Sequence, residues 1–125
     1  MNHDEEKVKA EEFFENCLNI LVSKAHDYAK VNDVFSNFKK ISETTGVDVM
    51  KVFLMFITVK LARLVELCDK PAKNESIEDT LKDLANYACL LSLYIKECHD
   101  MGSISVSMSG VTQSTGRAGY FGSNQ

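Results

Sequence analysis

The sequence predicts an all-α, four-helix bundle-like domain, and three observations carry that expectation. Apolar residues recur at three- and four-residue spacing through four separate stretches. Each stretch closes on a helix-stopping residue or a polar gap. The single period-two alternation falls in a Gly/Ser-rich tail. With 125 residues, 45% of them hydrophobic, the chain has room for one domain with a core of its own. The organisation read from it is a helical domain over 1–101 and a tail over 102–125.

The first helix is expected from about Asp4 to Ala29, where Ala10, Phe13, Phe14, Cys17, Leu18, Leu21 and Val22 keep helical spacing beneath an acidic outer face. A break follows at Lys30–Asp33. Asp33 is placed to cap a second helix that carries Phe35, Phe38 and Ile41, with the two phenylalanines read as core, and Gly46 stops it. The third helix, Asp48 to Cys68, is apolar around most of its circumference, the mark of a buried central helix, and Pro71 ends it. The fourth runs from Ser76 to His99, with Ile77, Leu81, Leu84, Ala88, Leu91 and Ile95 along one line expected to face the core. In the tail, Ser103 to Ser109 alternates small polar and apolar residues. Composition reads this tail as flexible; the alternation reads it as an extended arm that pairs with a neighbouring subunit. Four helices this short close poorly around an apolar third helix, so a homodimer or higher homo-oligomer is expected.

Composition excludes several classes of function. A net charge of −4 offers no basic surplus for a nucleic-acid backbone, so no long nucleic acid is expected as partner. The longest apolar run, Val52–Val59, is far short of the ~20 residues that span a bilayer, and the acidic N-terminus carries no signal segment, so the expected setting is the cytoplasm. Cys17, Cys68, Cys89 and Cys98 lie in helical stretches without C-x-x-C spacing and read as core or near-core thiols in a reducing compartment. Phosphate-loop, dinucleotide-binding and serine-hydrolase signatures are absent from the sequence.

Three constellations remain as candidates for chemistry. On the fourth helix Asp79, Asp83 and Asn86 form a polar ridge opposite the apolar line, a set able to hold Mg²⁺ through one or two oxygens while a bound phosphate supplies the rest. Ser76-x-x-Asp79 is equally a capping box, and the first turn's acidic residues suit the helix dipole. Lys60 and Arg63 interrupt the most apolar helix, and each must meet an anion or reach water: Asp83 or Glu66 is one partner on offer, a nucleotide phosphate the other. Lys24, Asp27 and Tyr28, followed by Asn37, place amide, acid and aromatic groups in a helix–loop–helix corner suited to stacking a base and reading its edge. His26 there is weak evidence of chemistry. Glu11, Glu12 and Glu15 read as a solvated acidic face.

The blocks Lys24-x-x-Asp27-Tyr28, Asn37-Phe38, Lys60-Leu61-Ala62-Arg63 and Asn74 to Tyr87 resemble the nucleotide modification associated domain 1 family, which is common in bacteriophages. The likeness runs from about Ser23 to Leu91. It extends to the all-α nucleoside triphosphate pyrophosphohydrolases of the MazG and dimeric dUTPase type, whose Glu-x-x-Glu helix and later acidic pair bind Mg²⁺ around a triphosphate. The resemblance implies that Glu12 and Glu15 join Asp79 and Asp83 as metal ligands, with Asp79 and Asp83 catalytic. It further implies that Lys24, Asp27, Tyr28, Asn37, Lys60, Arg63 and Asn86 bind the nucleotide. The acidic pair departs from the pattern, since Thr80 stands three residues before Asp83 and Asp79 four before it. Three expectations therefore stand together: a Mg²⁺-dependent nucleotide hydrolase, a phage-type protein that sequesters a nucleotide signal without turnover, and a structural helical oligomer.

Overall fold

The computed structural model describes residues 1–27, 33–70 and 76–102, with the side chains of 25–27 left aside. Tyr28, Asn74 and the tail over 103–125, and the side chain of Asp27, lie outside the described residues, and with them the expectations placed on them. Four helices make up the described chain: α1 (His3–Asp27), α2 (Ser36–Thr45), α3 (Val49–Asp69) and α4 (Ile77–Asp100). The fold is all-α and bundle-like, as the periodicity predicts.

The ends of these helices have local causes. Asn2 opens α1 by accepting from the Glu5 N–H through its side-chain oxygen at 2.9 Å. Asp33 precedes α2 by three residues rather than capping it directly. Its carboxylate accepts from the Phe35 N–H at 3.0 Å and from Lys39 Nζ at 2.7 Å, and Phe35 takes the cap position. Gly46 ends α2 in the left-handed conformation, φ 75°, with its N–H donating to the Ser42 carbonyl at 2.8 Å. Ser76 heads α4, where its Oγ accepts from the Asp79 N–H at 3.0 Å, the first half of the capping box. Gly102, φ 76°, closes it by donating to the His99 carbonyl.

Two compact units are distinguished, Met1–Leu90 and Leu91–Gln125. The core of the first consists of Cys17, Phe35, Phe38, Met50, Val52, Phe53 and Leu67. The Phe38 and Phe53 rings stack at 4.0 Å between centroids, and Phe56 and Tyr87 meet Phe38 at 5.3 and 6.4 Å. This aromatic group ties α2, α3 and α4 together, and the reading of Phe35 and Phe38 as core holds. In the second unit the described residues are the last turns of α4 and the Gly102 turn, where Leu93 and Met101 are exposed.

Four expectations about burial are corrected. Helix α3 is not buried all round: Val52, Phe53 and Leu67 face inward, while Leu54, Met55, Val59, Leu61 and Val65 are exposed. A helix in a single four-helix chain can cover only the face its neighbours reach, so apolar residues on the far side stay uncovered. On α1 the same limit leaves Phe14, Leu18 and Val22 outside while Cys17 is buried. On α4 the fully buried residue is Thr80, and Ile77 and Leu81 sit at the surface. The inward line thus runs through Thr80 and Tyr87, rotated by about 70° from the predicted Ile77–Ile95 line at about 100° per residue. Of the four thiols only Cys17 is buried; Cys68 and Cys89 are exposed and Cys98 is half-buried. Both exposed thiols sit on helix faces turned away from the core. No described helix is long and apolar enough to cross a membrane.

Candidate functional site

The rotation of α4 turns Asp83 and Asn86 of its polar ridge toward the other helices. Asp83 meets two lysines from two other helices: Lys60 Nζ of α3 at 2.8 Å and Lys24 Nζ of α1 at 3.8 Å, one on each carboxylate oxygen. Lys60 and Asp83 are about three-quarters covered, with side chains 26% and 25% exposed, whereas Lys24 is 61% exposed. Lys60 stands in this position because it shares the inner face of α3 with Phe53 and Phe56, three and four residues per step.

Beside Asp83, Asn86 donates from Nδ2 to the Cys17 main-chain carbonyl at 3.1 Å and locks α4 to α1. Tyr87 follows, its ring against Phe38 and Phe56. Burial raises the Tyr87 pKa above its usual 10.0; the Lys60 charge opposes the rise and Asp83 adds to it. The phenol is therefore neutral at physiological pH and able to donate. The Cys17 thiol is likewise pushed up, first by burial, against Lys82, with Glu78 and Asp83 adding to the rise. It is held as a thiol, not a nucleophilic thiolate.

The structure thus assembles Lys24, Lys60, Asp83 and Asn86 from the sequence-predicted set. It does not bring the others to the same point. Arg63 pairs with Glu66 on its own helix at 3.5 Å. Asp79 is exposed in the first turn of α4, and Glu12 and Glu15 are exposed on α1, with Glu11 reaching Lys7 at 4.0 Å, as the solvated-face reading has it. Asn37 is exposed in the first turn of α2, and among the described residues no hydrogen bond joins it to Asp83 or the lysines. Among the described residues no three His, Cys, Asp or Glu side chains gather in a way that would hold a metal ion. Mg²⁺ commonly takes only one or two carboxylates when phosphates complete its shell. Asp83, however, has an ammonium group on each oxygen, and two positive charges within 4 Å oppose a further cation. The carboxylates as placed do not fit a resident Mg²⁺.

Sequence reasoning passed over two neighbours, Thr80 and Tyr87. Both lie on the line of Asp83 and Leu84 at helical spacing, and that second stripe was the available signal. It is hidden in the sequence because Thr and Asp look polar, while Ile77, Leu81 and Ala88 offer a more apolar stripe one position round. Tested against protein-family models, curated proteins and solved structures, the chain matches none.

Proposed function

We propose that the junction of α1, α3 and α4 around Lys24, Lys60 and Asp83 binds a phosphate-bearing small molecule of the nucleotide class, and holds it without turning it over. The observation that carries this reading is the ratio of charges: two ammonium groups converge on one carboxylate, and Lys24, the more exposed of them, is largely in solvent. Asp83 orients both lysines, and Lys24 is free to swing toward an incoming anion while Lys60 stays paired. The Asn86 amide and the neutral Tyr87 phenol follow Asp83 by three and four residues, the first reaching α1 and the second α3. A phosphate wants such donors together with point charges.

The binding reading is preferred to hydrolysis because Asp83 is engaged by lysines and the remaining acidic residues are dispersed. The resemblance of the Lys24, Lys60 and Asn74–Tyr87 blocks to a nucleotide-associated phage family supports the ligand class. The setting we infer is a bacterial cytoplasm, and the working form a homo-oligomer. A second reading, a helical oligomer with no ligand, is favoured by one specific observation: the 2.8 Å Lys60–Asp83 pair and the Arg63–Glu66 pair already satisfy these charges.

Thermal unfolding against a panel of mono-, di-, tri- and cyclic nucleotides separates the readings. A bound nucleotide at 100 times its dissociation constant adds about 2.7 kcal/mol and raises the midpoint by roughly 10 °C. The shift is expected to persist in EDTA and to be lost in Lys24→Ala, an exposed position whose removal costs the fold little. Release of phosphate or pyrophosphate would restore the hydrolase. A panel in which nothing moves the midpoint leaves the scaffold reading.

A further inference from the structure

The outer face of α3 is built as a surface for a helix to lie on. At about 100° per residue, Leu54, Thr58, Leu61, Val65 and Cys68 fall within about 40° of one line, at steps of four and three. All five are exposed, and Met55, Val59 and Ala62 widen the strip on one side. Val59 and Val65 are 63% and 64% exposed, values of surface residues rather than of a helix this apolar. Thr58, within the strip, donates its hydroxyl to the Leu54 carbonyl at 2.7 Å, so that its polar atom is already satisfied and its methyl can face a neighbour. At one end the strip forms an open groove of about 540 Å³ lined by Val47, Lys51, Leu54, Met55, Thr58 and Val59.

We infer that this face docks on the same face of a second copy of the chain, α3 against α3, antiparallel about a two-fold axis that crosses the outer face of the helix at the level of Lys60. The inference rests on the self-association put forward above and adds where it occurs and in which direction. Three features choose this occupant. The first is spacing: the four–three step is that of helices packed side by side at a shallow angle, and a strip centred on the helix midpoint can meet itself.

The second is charge. Lys51 and Asp69 stand on the same flank, nine residues either side of Lys60, and both are exposed with no ion pair among the described residues. An antiparallel two-fold places each Lys51 beside Asp69 of the second copy, whereas a parallel two-fold carries this flank to the opposite side of the seam and brings neither charge to a partner. The third is area. At about 100 Å² for each half-exposed side chain, the five large apolar residues carry roughly 500 Å². With Lys51, Thr58, Ala62 and Cys68 the face approaches the ~800 Å² per partner of a standard interface. The partner's strip also brings Leu61 and Val65 of the second copy over the groove.

The test is the mass of the full chain in solution at about 50 µM, by sedimentation or light scattering. The wild type is expected at twice the 14.0 kDa chain mass. Leu61→Glu is expected at the single-chain mass with its helical circular dichroism kept. Lys51→Glu and Asp69→Lys are each expected to weaken the dimer by roughly tenfold, since two-fold symmetry counts each pair twice, and the double exchange to restore it. A wild-type chain that runs at 14.0 kDa overturns self-association and this geometry together, and points to another partner on the face. A dimer indifferent to Leu61→Glu, or one broken by Leu18→Glu on α1 instead, overturns the geometry alone. Charge exchange without rescue overturns the antiparallel direction even if Leu61→Glu fails to fold.

Discussion

Asp33 shows how much one side chain does in a short connection. Its carboxylate bonds the Phe35 N–H and Lys39 Nζ, and these bonds, with the Lys39 charge, hold its pKa below the usual 3.8 against a smaller opposing effect of burial. A carboxyl with a lowered folded pKa adds stability above its unfolded value and loses it as pH falls through the folded value. Asp33→Asn keeps the acceptor for Phe35 but removes the charge, so it is expected to cost about 0.5 kcal/mol at pH 7 for this partly exposed pair. That deficit should shrink below pH 4 and vanish once Asp33 is protonated in the wild type, as paired urea titrations would show. A constant deficit at all pH values would mean that the ion pair contributes nothing. At this scale the sequence proposed Asp33 as a capping residue but not its bond to Lys39, six residues on. Lys60 was open in the same way. Asp83 and Glu66 were both available as partners, and only the approach of α4 to α3 chose Asp83.

Helix ends are decided within a turn of chain, which is why they were legible. Gly46 is the clearest case: its φ of 75° lies where a Cβ is disfavoured, though no atom lies within 4 Å of where one would stand. Gly46→Ala is therefore a pure backbone test. It is expected to cost about 1 kcal/mol, seen as a fall of roughly 4 °C in the unfolding midpoint, with no loss of helix content. An unchanged midpoint would show that the α2–α3 turn relaxes to another conformation. The faces of the helices were less legible than their ends. Periodicity finds an apolar stripe, and where a helix has two it cannot say which one meets the core. On α4 the more apolar stripe lost to the one bearing Thr80, Asp83 and Tyr87, because that face also satisfies the Lys60 charge and the Cys17 carbonyl. On α3 apolar residues surround the helix, but only one side has neighbours within the chain.

For the molecule, stability concentrates in a few residues. Phe53 is fully buried and contacts the rings of Phe35 and Phe38, so it bears on both α2 and α3. Phe53→Ala is expected to cost about 3–5 kcal/mol, a large part of what a domain of this size has, and to leave it partly unfolded at 37 °C by circular dichroism. A cost under 1 kcal/mol would place the core elsewhere. The same smallness of the core explains why so much apolar surface on α1 and α3 stays uncovered within the chain. By itself the sequence determined the all-α class, the four helices and nearly all their ends, since hydrogen bonds, caps and glycine stops act over a few residues. Tertiary structure decided which faces are inside, which acid answers Lys60, and, among the described residues, that no three acidic side chains come together in a group able to hold a metal ion. Those outcomes depend on how helices rotate against one another, and a rotation of one residue position moves a side chain about 100° round the axis without changing the periodic pattern that predicts the helix.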